Sequence, residues 1–370
     1  MDPIAHTFTG MALAAAGLRR ATPLAATALF MGVNAPDVDV VSGFVAYYES
    51  VAFRRGWTHG VLALVLWPFV LTAVLLAWDR YVRLKRKPDA APARAGPLLA
   101  LTTIAVVSHP TLDWLNNYGL RWLMPFSGRW FYGDALFVID PWVWLVLGGV
   151  AFLTFSQSKL ARVRWAVFFV LASWLIFANT ELVPTASALL WLGGAAAFVA
   201  ARWWLRDAPP AMLERAALAG IAVTAVYMIA MVSASAAARA EVRAAAAAQG
   251  IVADDVMVAP VPADPFRGQV IVMTRDEYYT GEFDWLAKPH LRLDGERIAR
   301  PRGVAFELAS QDAAARRFLV WSRYPAIELA PDRGAIRVTF TDVRYRGQTQ
   351  NRLEGPKVFL PASAVESGGN

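Results

Sequence analysis

Along the first 235 residues, long runs without a charge alternate with short clusters of Arg and Lys. A helix needs about 20 apolar residues to cross a bilayer, and runs of that order fall at 58–78, 136–156, 165–183, 186–203 and 214–232. A shorter run, 97–115, ends in Ser108-His109-Pro110 before Thr111, and two small-residue runs, 4–18 and 22–36, are joined at Leu18-Arg19-Arg20. The pattern predicts a mainly α protein, a polytopic transmembrane helix bundle of about eight spans, in which the first two runs form a hairpin that either spans or re-enters.

After the last run the pattern changes. Ala234 to Gln249 is Ala-rich, carries Arg239, Glu241 and Arg243, and reads as a helix leading into a polar tail. Within the tail, Gln269 to Thr274, Arg317 to Arg323 and Ala335 to Asp342 have the Val, Ile, Phe and Thr content of strands, with Pro, Gly and Asp between them. We therefore expect two domains: a transmembrane helical domain over 1–238, and a small β-rich extramembrane domain over 239–370. The last residues, 365–370, read as a frayed end.

Basic residues orient the bundle. Arg19 with Arg20, the cluster from Arg80 to Arg94, Lys159 with Arg162 and Arg164, and Arg202, Arg206 and Arg215 fall on alternate connections. The positive-inside bias puts those connections in the cytoplasm. The connections at 37–57, 116–134 and 180–185 then face outward, despite Arg54, Arg55, Arg121 and Arg129, and eight crossings carry the tail outside.

Composition narrows the class. The chain is 57% hydrophobic and 18% charged, against about 45–50% and about 25% for a soluble domain, which excludes an ordinary cytosolic enzyme. A net charge of +7 invites a nucleic-acid reading, but the largest basic cluster, Arg80, Arg83, Lys85, Arg86, Lys87 and Arg94, lies between two spans and acts as a topology signal. No nucleic-acid partner is expected; membrane lipids are. The absence of Cys excludes disulfides and thiolate metal sites, so any metal must bind through His, carboxylate or carbonyl. Met1 to His6 lacks the basic start and cleavage site of a signal peptide and is expected to be retained.

Three of the four histidines, His6, His59 and His109, lie near predicted span ends. One His near a helix end is commonly a cap or an interfacial residue; three together suggest more. His109 and Asp113 stand at i and i+4, on one helix face if the helix continues through Pro110; otherwise Asp113 caps the next helix. Asp37 and Asp39 follow Pro36, which favours a helix end there, and the apolar residues after them make two adjacent acids costly unless paired or wet. In the predicted topology His6, Asp37, Asp39, His59, His109 and Asp113 all fall on the outer side. Three imidazoles and three carboxylates suit zinc, or manganese or iron, as one or two divalent ions that activate water, with Asp37 or Asp39 as an alternative general base. Arg54 and Arg55, in Arg54-Arg55-Gly56-Trp57-Thr58-His59, are placed to neutralise a phosphate or to anchor to headgroups. Ser127 is a candidate nucleophile with no base adjacent and suits a turn as well. Asp134 and Asp140 are candidates to orient ligand histidines, although Asp140 before Pro141 also suits a helix cap. His290 reads as a surface histidine.

These residues resemble the YdjM-like family of bacterial inner-membrane metal-dependent hydrolases. The resemblance rests on His6 with Gly10, Asn34-Ala35-Pro36-Asp37-Val38-Asp39, Arg55-Gly56-Trp57-Thr58-His59, Ser108-His109-Pro110-Thr111-Leu112-Asp113, Tyr118-Gly119, Pro125-Phe126-Ser127, Trp130, Asp134 and Asp140-Pro141, and covers about residues 1–150. It implies a divalent-metal hydrolase of the inner membrane without implying a substrate; we expect Ser127 and Trp130 beside Arg54 and Arg55 on the substrate side. The family pattern reads His-Arg-Gly-x-Thr-His-Ser, whereas this chain has Arg54 at the first position and Gly60 at the last.

The expectation is thus a hydrolase whose metal site opens at the outer face onto a phosphoester or other ester of a lipid-like substrate, with the β-rich domain periplasmic. The rival is a non-catalytic transporter or scaffold whose tail binds a partner. A transporter places ionisable groups near the midplane, and here they cluster at one end.

Overall fold

The computed structural model describes residues 1–44, 47–179, 182–346 and 355–366. The chain divides into two compact units: Met1–Val38, Arg55–Ser235 and Ala259–Phe266 form the first, and Asp39–Arg54, Ala236–Val258 and Arg267–Asn370 the second. The sequence reading cuts the chain once, at 238; the structure exchanges segments, sending 39–54 to the second unit and the 259–266 turn to the first.

The first unit is helical. Its elements are α1 (Pro3–Ala15), α2 (Ala25–Asn34), α4 (Val61–Trp78), which runs through a π-helical turn (Asp79–Arg83) into α5 (Leu84–Arg86), α6 (Ala95–Trp114), α7 (Pro141–Phe155), α8 (Lys159–Phe177), α9 (Thr185–Trp204) and most of α10 (Pro210–Ala248). Two starts are written locally. The Asp2 carboxylate accepts from the Ile4 and Ala5 N–H groups ahead of α1, and Asp140 accepts from Trp142 and Val143 ahead of α7, each followed by Pro at the first helical position. Small residues set the packing: a Cβ added at Gly10 would lie 2.8 Å from Val33, and one at Gly32 2.5 Å from the Cβ of Ala105. α1, α2 and α6 therefore approach closely, as small residues allow between membrane helices. Leu29, Val33, Leu98 and Ala105 fill one core; Phe8, Trp144, Phe152, Trp165 and Trp191 fill another.

Among the described residues, five helices are long and apolar enough to cross a membrane: Val61–Arg86, Ala95–Trp114, Lys159–Phe177, Thr185–Trp204 and Pro210–Ala248. The expected eight are not supported. α1 and α2 have 13 and 10 residues, about 20 and 15 Å at 1.5 Å per residue, well short of a bilayer core of about 30 Å. The run 136–156 yields 15 helical residues, because the Asp140 cap starts the helix at Pro141. Conversely, the shorter run at 97–115 falls on a full 20-residue helix, Ala95–Trp114, that carries Pro110 without breaking. Thr180 and Glu181 lie outside the described residues, and with them part of the expected 165–183 run and 180–185 connection. Val65, Leu66, Phe69 and Val70 on α4 and Val163, Val167, Val170 and Leu171 on α8 are exposed apolar faces, the surface a helix presents to lipid.

The second unit combines α3 (Tyr47–Phe53), the end of α10 and the tail. β1 (Asp255–Val261), β2 (Asp264–Met273), β3 (Glu277–Asp284) and β4 (Leu291–Arg292) lie in that order in one sheet, with β5 (Arg297–Ala299) also on β3. Val256, Val258, Val270, Val272 and Phe283 pack on Ala238, Val242 and Ala246 of α10. After α11 (Val304–Ala309) and α12 (Ala313–Trp321), β6 (Pro325–Asp332), β7 (Ala335–Asp342) and β8 (Lys357–Pro361) form an antiparallel sheet, followed by α13 (Ala362–Glu366). The expected strand at Arg317 to Arg323 is instead mostly α12: Asp312 caps it, and Ala315, Phe318 and Trp321 recur every three residues on its buried face. Of the end expected to fray, 365–370, Val365 and Glu366 belong to α13, and 367–370 lie outside the described residues.

Candidate metal centre

Three short segments of the first unit meet at one end of the helices. The backbone continues past α2 in 3-10 geometry through Ala35 and Pro36 to Asp37. His59 sits on a tight loop before α4, in which Arg55 has φ of 53°. That loop is tied to the 120–124 segment: the Arg121 N–H donates to the Arg55 carbonyl (2.9 Å) and the Val61 N–H to that of Trp122 (2.8 Å). Gly60 is required there, since a Cβ would stand 2.4 Å from the Met124 carbonyl oxygen. His109 and Asp113 project one turn apart from the end of α6.

Ligand atoms of Asp37, His59, His109 and Asp113 all lie within 4.8 Å of one another. The His59 and His109 Nε2 atoms are 3.1 Å apart. Asp113 Oδ2 is 3.2 Å from His59 Nε2 and 3.5 Å from His109 Nε2, and Asp37 Oδ1 is 3.9 and 3.7 Å from the same two nitrogens. His6 stacks on His109, ring centroids 3.7 Å apart, with its Nε2 3.4 Å from Asp113 Oδ1.

Hydrogen bonds decide which atoms are available. His109 Nδ1 lies 2.7 Å from the Val33 carbonyl oxygen; a carbonyl only accepts, so Nδ1 holds the ring proton and Nε2 turns a lone pair into the group. Two Nε2 atoms at 3.1 Å need a proton or a cation between them. Arg55 sets Asp113: its Nη2 donates to Asp113 Oδ1 (2.9 Å) and its Nη1 to Asn116 Oδ1 (3.0 Å), with the guanidinium 4.6 Å from the Tyr118 ring centroid. The Met1 amino group also donates to Asp113 Oδ1. Yet Asp113 Oδ2 and both ring nitrogens of His6, all buried, make no hydrogen bond among the described residues. A set of two or three imidazole nitrogens and two carboxylates, with buried lone pairs left over, fits a divalent ion of the zinc, manganese or iron kind.

Other residues singled out from the sequence stand elsewhere. Asp39 is buried in the second unit, its Oδ1 3.5 Å from Arg54 Nε, so this acid and this arginine pair with each other and Asp39 is outside the group of four. Ser127 Oγ accepts from the Arg129 N–H (3.3 Å), a turn contact. Trp130 stacks with Tyr132 and lies under the Arg121 guanidinium, 4.9 Å away. Asp134 has φ of 51°, and its carbonyl accepts from Ser235 Oγ. Asp140 caps α7 and accepts from the Tyr227 hydroxyl (2.9 Å). His290 Nδ1 lies 2.9 Å from Glu241 Oε1 in the second unit. Sequence reasoning missed Asn116 and the Val33 carbonyl. A polar pair, Asn116-Asn117, at the end of an apolar run was a usable signal for the first; a backbone carbonyl leaves none.

Residues 1–182 match the model of the family described as YdjM inner membrane protein, a span that contains every member of the site. The uncharacterized protein YfhP of Bacillus subtilis (strain 168) is 26% identical over 155 residues, which are 39% of this chain and 43% of that protein. The chain thus aligns with less than half the length of that relative. No solved structure gives a significant match.

Proposed function

Because residues 1–182 match the model of the YdjM inner membrane protein family, we propose that the group at the ends of α2 and α6 is the divalent-metal centre of a membrane-embedded hydrolase. Its substrate is a phosphoester or other ester of a lipid-like amphiphile. The observation that carries this reading is the convergence of His59 Nε2, His109 Nε2, Asp113 Oδ2 and Asp37 Oδ1 within 4.8 Å.

Asp37, His59, His109 and Asp113 hold the ion, zinc in first place, with His6 beside them. The chemistry supplied when such an ion binds is Lewis acidity toward a phosphoryl or carbonyl oxygen and acidification of water. The chain's own groups do the rest. The Val33 carbonyl keeps His109 in the tautomer that presents Nε2. Arg55, buried against Asp113 and Asn116, neutralises the Asp113 carboxylate and fixes its direction, which takes it away from the substrate-phosphate role read from the sequence. Asp37 is the member with solvent access, its side chain 17% exposed against 0% for the other three. It is placed to accept a proton from water and return it to the leaving oxygen.

We place the site on the outer side of a bacterial inner membrane. The Arg80 to Arg94 cluster stands at the opposite ends of α4–α5 and α6 from His59, His109 and Asp113, and basic clusters stay in the cytoplasm.

The test is elemental analysis of detergent-purified protein beside His109→Ala and Asp113→Asn, each checked for helicity. One or two ions per wild-type chain, absent from both folded variants, and metal-dependent cleavage of a phospholipid-type ester are expected. A wild-type chain that holds no stoichiometric ion after metal loading sinks the reading.

A further inference from the structure

α1 and α8 line a groove of about 470 Å³ whose lining includes none of Asp37, His59, His109 and Asp113. Its walls are Ile4, Thr7, Phe8 and Met11 from α1 and Trp165 with Arg164 from α8. Phe8 stacks on Trp165 (5.6 Å between centroids), which closes the floor. The Thr7 hydroxyl is taken up by Asn34 Oδ1, leaving Arg164 as the charge on an otherwise apolar lining. α8 is long and apolar enough to span the membrane, and Val163, Val167, Val170 and Leu171 on it are exposed, so the groove opens on a lipid-facing helix. Hydrocarbon chains, not water, are its natural filling.

The arginine selects among lipids. The Arg164 side chain has no hydrogen bond or ion pair among the described residues, and neither do those of Lys159 and Arg162 on the same first turns of α8. Three uncompensated cations beside an apolar slot complement an anionic headgroup: a guanidinium takes phosphate oxygens bidentately, while the surrounding positive charge disfavours choline or ethanolamine. Basic pockets between membrane helices on the cytoplasmic side bind anionic headgroups by this chemistry. A substrate tail entering from the metal centre would leave its own headgroup there and Arg164 unpaired.

We propose that this groove is a binding site for one anionic glycerophospholipid, with an acyl chain along Ile4, Phe8, Met11 and Trp165 and the headgroup phosphate on Arg164. The site is separate from the hydrolytic centre and does not depend on it.

Native mass spectrometry of the full chain, released from micelles holding equal phosphatidylglycerol and phosphatidylcholine, tests this. Wild type is expected to retain one phosphatidylglycerol with a preference of about fivefold or more. Arg164→Glu, a change at an exposed side chain, is expected to erase the preference; Arg80→Glu, in a different basic cluster, to leave it; and Met11→Trp, which fills the slot, to reduce retention of both lipids. Equal retention of the two lipids by wild type, a preference that survives Arg164→Glu, or retention unchanged in Met11→Trp overturns the proposal. So does retention that vanishes in His109→Ala, which would identify the lipid as substrate at the metal centre.

Discussion

Asp342, at the end of β7, and Asp113, near the end of α6, are both buried and both paired with an arginine. Their remaining partners differ. Asp342 accepts from Arg344 Nε and Nη2 (2.8 Å each), from the Arg344 N–H, from Ser322 Oγ (2.7 Å) and from the Arg323 N–H (2.8 Å), and Arg344 is itself flanked by the Trp321 and Tyr345 rings. Every oxygen lone pair has a donor, the condition under which a buried ion pair is tolerated. Asp113 has Arg55 on Oδ1, but its Oδ2 faces the Nε2 atoms of His59 and His109 and makes no hydrogen bond among the described residues. One carboxylate is closed and structural; the other is held half open. A folding requirement alone explains the first and not the second, because an unsatisfied buried oxygen costs about 1–3 kcal/mol.

The sharpest way to break this contrast is to remove each acid in the full chain. Asp342→Ala is expected to destabilise the β-rich unit by about 3–5 kcal/mol, because it strands Arg344, and to leave bound metal unchanged. Asp113→Ala is expected to abolish bound metal while the tail keeps its hydrogen-exchange protection. Metal lost from both variants, or from neither, would erase the distinction.

A pH titration sharpens the closed side. Burial pushes the Asp342 carboxyl up, but the Arg344 guanidinium and the hydrogen bonds from Arg344 and Ser322 outweigh it and hold the group below its usual range. A depressed carboxyl stabilises the fold above its unfolded value, about 3.9, and that stabilisation is lost as pH falls through the lower folded value. Hydrogen exchange in the tail should therefore accelerate only below about pH 4, and Asp342→Asn should flatten that dependence. An acceleration beginning near neutrality would point to another group.

The smallest effect probes the open side indirectly. Gly32→Ala puts a Cβ 2.5 Å from that of Ala105, forcing α2 off α6 and drawing the Val33 carbonyl away from His109. Loss of such an outer hydrogen bond typically weakens a metal site about 10–100-fold, so a competitive chelator titration should register about tenfold weaker binding with helicity unchanged. Wild-type affinity in Gly32→Ala would show that the carbonyl does not set the ring.

How much was legible from sequence varied with the range of the interaction. His109 with Asp113 was readable because i and i+4 share a helix face whatever surrounds them. The Asp140 cap was readable because capping is a contact between neighbours. Asp39 was not separable from Asp37: both follow Pro36, and only the fold pairs the second with Arg54. Arg317 to Arg323 has strand composition, yet the Asp312 cap and a buried face of Ala315, Phe318 and Trp321 make it helical. Composition is a weak guide when tertiary burial favours a different period.

By itself, the sequence determined that the chain belongs in a membrane, that its basic clusters alternate, and that its ionisable ligands concentrate in the first third, since these are properties of composition and order. Tertiary structure decided what required distance: that α1 and α2 are too short to span, that glycines let α2 press a backbone carbonyl onto His109, and that four of six candidate ligands converge. It also left Arg164 alone beside an apolar groove. Local rules set which residues can form a helix or a cap; lone pairs meet, and charges stay unpaired, only where packed segments distant in sequence bring them.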